Sequence, residues 1–137
     1  MKKMRYPLLL AAIMMALSGC SKKSNPVGPA LPPPAPSFTI TAQPVTLSDG
    51  SAGLTFFARC TTDDINLIKV VVGFPDGTSQ TYNAGDAAIV ENQNFGCQDQ
   101  GYGYPKLLGT WSFTFVGNKA AGDKSSFNVT TTLNVTG

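Results

Sequence analysis

The chain has 137 residues, with ten basic and eight acidic side chains for a formal charge of +2, and it contains no histidine. Ser-His-Asp and Cys-His catalysis are therefore excluded, and three cysteines without a Cys-x-x-Cys spacing argue against a zinc centre. The positive charge belongs to the first part of the chain: from Ser37 onward five basic residues stand against eight acidic ones, a net −3, which gives no electrostatic footprint for nucleic acid.

Met1 to Pro7 carries Lys2, Lys3 and Arg5 and no acid, and Leu8 to Leu17 is an unbroken apolar run. A basic segment, a short apolar segment and small residues after it form the pattern of a secretory signal. The run is too short to span a bilayer, which takes about 20 residues. It ends in Leu17-Ser18-Gly19-Cys20, which resembles the lipobox of bacterial lipoprotein precursors. That resemblance implies cleavage after residue 19 and a diacylglyceryl group on the sulfur of Cys20, with further acylation of the new amine. Two or more acyl chains hold a protein on a membrane stably, where one does so only marginally. The membrane is thus the expected partner, reached through the lipid on Cys20. Ser21 stands where an aspartate would imply inner-membrane retention, so the resemblance points to the outer membrane.

Residues 20–36 read CSKKSNPVGPALPPPAP. Proline-rich segments favour extended polyproline II at about 3.1 Å per residue, a spacer reaching roughly 50 Å from the bilayer. The composition cannot build a core; a docking peptide for another domain is the alternative role. Lys22 and Lys23 would lie near anionic headgroups.

If Cys20 carries lipid, Cys60 and Cys97 remain as a pair. Export places them in an oxidising space, so a disulfide is expected, closing a loop of about 37 residues. Two buried free thiols are the other possibility.

From Ser37 to Gly137 the chain reads as one domain of short strands. Phe38–Leu47 is a strand interrupted by Pro44, which places it at a sheet edge. Ser48-Asp49-Gly50-Ser51 is a turn. In Leu54–Cys60 the residues Leu54, Phe56, Ala58 and Cys60 share the inner face, and Thr55, Phe57 and Arg59 the outer. Ile65–Phe74 is nearly all apolar and reads as a central strand, with Ile68, Val70, Val72 and Phe74 on one face and Leu67, Lys69 and Val71 on the other. Pro75-Asp76-Gly77 is a turn. Thr78–Asn83 and Ala87–Glu91 read as two shorter strands, and Asn92–Pro105 as a long loop, a candidate functional element by its length. Thr110–Val116 sends Trp111, Phe113 and Phe115 inward. Phe127–Val135 alternates Phe127, Val129, Thr131, Leu133 and Val135 against polar partners. About seven strands in about 100 residues, without a sustained helical period, predict an all-β antiparallel sandwich of the immunoglobulin-like class.

The segments Phe74-Pro75-Asp76-Gly77-Thr78, Gly109-Thr110-Trp111-Ser112-Phe113-Thr114-Phe115 and Thr130-Thr131-Thr132-Leu133-Asn134-Val135 are similar to bacterial immunoglobulin-like domains, including the polycystic-kidney-disease (PKD) type. The resemblance covers Phe38 to Val135. It departs from the PKD type at the missing tryptophan before the turn, where Val71 and Val72 stand, and in the Cys60/Cys97 pair. It implies a spacer, an adhesion unit or a sugar-binding accessory.

The loop aspartates Asp49, Asp63, Asp64, Asp76, Asp86 and Asp99 lack a local DxDxD spacing and read as turn formers more readily than as calcium ligands. Neither a catalytic constellation nor a cofactor is expected. Tyr102 and Tyr104 flank Gly103 in the long loop, and with Tyr82 they are the candidate ligand-binding residues, offering flat faces for a glycan or protein ligand; packing over the cysteine pair is their alternative. The expected protein is a cell-envelope lipoprotein with a cleaved signal (1–19), a lipidated tether (20–36) and a sandwich (37–137), acting as a non-catalytic structural or binding module. An envelope inhibitor that plugs a hydrolase with the 92–105 loop and a carbohydrate-binding accessory are the alternatives.

Overall fold

The computed structural model describes residues 34–137. The signal segment 1–19, Cys20 and the tether as far as residue 33 lie outside them. The described residues form β1 (Phe38–Thr46), β2 (Ala52–Cys60), β3 (Ile65–Gly73), β4 (Ser79–Ile89), β5 (Asn94–Gly96), β6 (Tyr104–Pro105), β7 (Gly109–Lys119) and β8 (Ser126–Val135). In the first sheet β2 is central, with β1 on one side and both β5 and β6 on the other; the second sheet runs β4-β3-β7-β8. Every pairing is antiparallel, and the chain crosses between sheets after β2, β4 and β6. This is the all-β antiparallel sandwich that the alternation predicts, with eight strands where about seven are expected.

The core follows from that alternation. Phe56, Trp111, Phe113 and Phe115 are fully buried between the sheets. The Phe56 ring lies 4.7 Å from Trp111 and 4.9 Å from Phe113, centroid to centroid, and Phe38 stacks on Phe115 at 4.1 Å. Trp111 is core, with its indole N–H donated to the Leu107 carbonyl at 2.9 Å, which satisfies the one polar atom a buried tryptophan carries. Pro44 sits within β1 opposite Leu54, on an edge strand where its missing donor breaks no ladder.

Three expectations are corrected. The register of β3 shifts between Leu67 and Lys69 against both neighbours. Such a bulge reverses the faces that follow it, so Leu67 is fully buried and Ile68 is 41% exposed, the opposite of simple alternation. The two short strands expected over 78–91 are one strand, β4, whose halves meet at Gly85 and Asp86, both with positive φ. The loop 92–105 is not free: β5 and β6 bind it to β2.

The disulfide is the fourth correction. Cys60 and Cys97 are both buried free thiols. The Cys97 N–H donates to the Phe56 carbonyl at 2.9 Å, so Cys97 lies beside Phe56, four positions along β2 from Cys60. Four residues of strand span about 13 Å, whereas a disulfide requires Cα atoms within about 7 Å.

Candidate binding groove

The third strand of the first sheet is interrupted, and the interruption makes the site. Gly96 faces Phe57. Continued pairing would bring position 99 opposite Leu54, but Tyr104 is there instead. Five extra residues are therefore looped out between β5 and β6. The loop rises over the outer face of the sheet and walls a groove of about 740 Å³.

The groove floor is the outer face of β2 and its neighbours. Thr55 and Phe57 project there because Leu54, Phe56 and Ala58 take the core side. One end is closed by Val45 and Leu47, at and just beyond the end of β1. Leu47 folds back over Gly53: a Cβ on Gly53 would collide with the Leu47 side chain and stand 2.9 Å from the Tyr104 carbonyl, so the residue there has to be glycine. The other wall is formed by Gln98 to Gly103, and Tyr82 reaches in from β4, the edge strand of the opposite sheet.

Gln98 is the residue that the interruption creates. Where β5 leaves β2, the Phe56 N–H loses its strand partner, and the Gln98 side-chain carbonyl replaces it at 2.9 Å. Within a side-chain amide only the oxygen accepts, so the orientation of the amide is fixed and its NH₂ group points away from Phe56. That nitrogen lies over Gly96, 2.9 Å from where a Cβ would stand, beside the Phe57 position on the groove floor. Gln98 is only 9% exposed, and among the described residues its Nε2 has no acceptor within hydrogen-bond range.

The three candidate tyrosines separate. Tyr82 lines the groove and also a smaller cavity of about 210 Å³ between β4 and the loop. Tyr102 is 42% exposed at the rim and donates its hydroxyl to Gln80 at 3.2 Å, tying the loop to β4. Tyr104 is 2% exposed, so it is a buried support and not a contact face. Its hydroxyl donates to the Cys97 carbonyl at 2.8 Å, and its ring meets Tyr102 edge-on at 5.1 Å. Burial pushes its phenol well above the usual tyrosine range, with nearby Cys97 adding to the effect. Burial likewise pushes the Cys97 thiol up to about 12.

Charge in the groove has one sign. Asp49 and Asp99 line it, and among the described residues no lysine or arginine does. The Ser51 hydroxyl and N–H both donate to Asp49, which holds its carboxyl below the usual range and keeps it ionised. Asp76 is held down in the same way by Thr78 in the β3–β4 turn. Asp64 accepts from the Glu91 N–H at 2.8 Å, and Asp63 approaches Lys119 at 3.7 Å. These aspartates organise turns and connections. Among the described residues no three His, Cys, Asp or Glu side chains converge.

A search of protein-family models, curated proteins and solved structures finds no match to this chain.

Sequence reasoning reached Tyr82 and Tyr102 and missed Phe57 and Gln98 as site residues. Phe57 carried a signal, a large apolar side chain on the outward face of a strand. Gln98 carried none, because its role depends on a register change that only the assembled sheet defines.

Proposed function

We propose that the protein is a non-catalytic binding module of the cell envelope, lipid-anchored through Cys20 and carried on the 20–36 tether. The observation that supports it best is the groove walled by the five looped-out residues. A sandwich that needed only to act as a spacer would gain nothing from looping residues out of an edge strand to wall Phe57 and Tyr82 in beside a bare amide. The lipobox resemblance supports the envelope placement. The inhibitor alternative draws less support, because the 92–105 segment is pinned by β5, by β6 and by the Tyr104 and Tyr102 hydroxyls, and forms a wall where a plug would project.

Co-sedimentation with isolated cell-wall fractions tests this reading, with Cys20 replaced by serine in both proteins so that no acyl chain contributes. The chain with an intact loop should pellet through the groove, and a variant lacking Asp99 to Gly103 should not. Equal pelleting of the two would remove the groove from the function.

A further inference from the structure

Resting on the binding-module reading, we infer that the groove takes a neutral oligosaccharide, seated on Phe57 and hydrogen-bonded to the Gln98 amide. The inference starts from the amide. Gln98 is nine-tenths buried, and its NH₂ group, which has no acceptor among the described residues, opens over Gly96 onto the groove floor, where water completes it in the free protein and a ligand oxygen can take that place. Asp49 and Asp99 at the walls accept hydrogen bonds and donate none, so the same ligand has to offer donors as well. A hydroxyl is both donor and acceptor, and a sugar carries several on one small ring.

Charge argues against ionic competitors. An anionic ligand would meet two carboxylates and, among the described residues, no cation. A simple ammonium or guanidinium group suits the carboxylates but brings only donors and leaves the Gln98 nitrogen unmet. Phe57 offers a flat apolar face to the carbon-bound side of a pyranose, with Tyr82 at the side. A groove of about 740 Å³, open at its mouth, has room for more than one sugar unit.

The test is an array of neutral, sialylated and sulfated glycans probed with the full chain, followed by calorimetry on the neutral hits. Binding to neutral glycans alone is expected. Gln98→Glu keeps an oxygen for the Phe56 N–H, removes the amide donor and adds a carboxylate charge, so it should bind about tenfold to a hundredfold more weakly, with a melting temperature lowered by the buried charge and binding read below that temperature. Phe57→Ala, which changes an outward-facing residue, should also lose binding. If no neutral glycan binds, or if Gln98→Glu and Phe57→Ala bind as the wild type does, the inference is wrong. Titration with tetralysine, followed by amide NMR shifts, separates the two levels. Shifts confined to groove residues without any glycan binding would leave a binding module with a different ligand, whereas no shift and no glycan hit, together with unchanged co-sedimentation of the loop deletion, would overturn both.

Discussion

Tyr104 and Cys97 meet where the looped-out segment begins and ends. The Tyr104 hydroxyl spans the base of the loop by donating to the Cys97 carbonyl, and both side chains are buried in their neutral forms. Each therefore holds its proton in the fold to a higher pH than it does in the unfolded chain, and the sign of the pH dependence follows. Below about pH 9 both states are protonated and these groups add no dependence. Above it the unfolded thiol ionises while the folded one waits until about 12, so unfolding releases a proton. The Tyr104 phenol adds the same effect from its ordinary value of 10.0 upward. Stability should fall above pH 9, by up to about 1.4 kcal/mol per pH unit for each group, and urea denaturation from pH 8 to 11 measures it. Cys97→Ala should delay the onset toward pH 10; an unchanged onset would assign the decline to other groups. The thiols themselves give a second outcome. In native protein Cys60 and Cys97 should resist iodoacetamide, and in denaturant without reductant peptide mapping should find both alkylated, since the register holds them about 13 Å apart. An unalkylated pair recovered as one cross-linked peptide would contradict the free thiols.

At the scale of the strand, the loop between β5 and β6 is an insertion with a known length, and this makes it removable. Deleting Asp99 to Gly103 brings Tyr104 to the position that uninterrupted pairing assigns opposite Leu54, so β5 and β6 should join into one edge strand. Closing five residues of loop changes chain entropy by well under about 1 kcal/mol. The deleted protein should fold, with a far-ultraviolet circular dichroism spectrum of the same β type and a melting temperature within a few degrees, while the groove disappears. Failure to fold would mean that the loop supports the sandwich, for instance through Tyr102 and Gln80. The same insertion explains what the sequence could and could not convey. Long strands with one buried face were legible: β7 and β8 alternate without interruption, and Trp111, Phe113 and Phe115 lie where alternation puts them. Strands of three and two residues have no period to detect, so β5 and β6 read as loop. The bulge in β3 was invisible for a related reason. In a run as apolar as Ile65–Val72 either face is a plausible interior, and only pairing with β4 and β7 decides that Leu67 is buried and Ile68 is not.

For the whole molecule, chemistry is divided along the chain. The first 36 residues hold five of the ten basic side chains and no acid, and the sandwich holds all eight acids. Under the proposed envelope reading this division has a mechanical sense. The acyl chains on Cys20 would supply the hold, Lys22 and Lys23 would favour anionic headgroups, and a net −3 sandwich would be weakly repelled from the same surface. The proline-rich tether would then keep the groove away from the bilayer, at a reach of up to roughly 50 Å, and open to large ligands. Replacing Cys20 by serine tests the hold without touching the fold, because the sandwich begins well beyond it. The C20S chain should no longer incorporate a fatty-acid probe, and it should move from the membrane pellet to the soluble envelope fraction. A glycan-binding profile obtained with the wild type in detergent should persist in the released variant, since the described groove residues run from Val45 to Gly103. Membrane retention that survives C20S without labelling would instead place the hold in an uncleaved apolar run Leu8–Leu17, with the 20–36 segment a spacer behind a leader that stays attached, and labelling that survives would place the acyl chain on a residue other than Cys20.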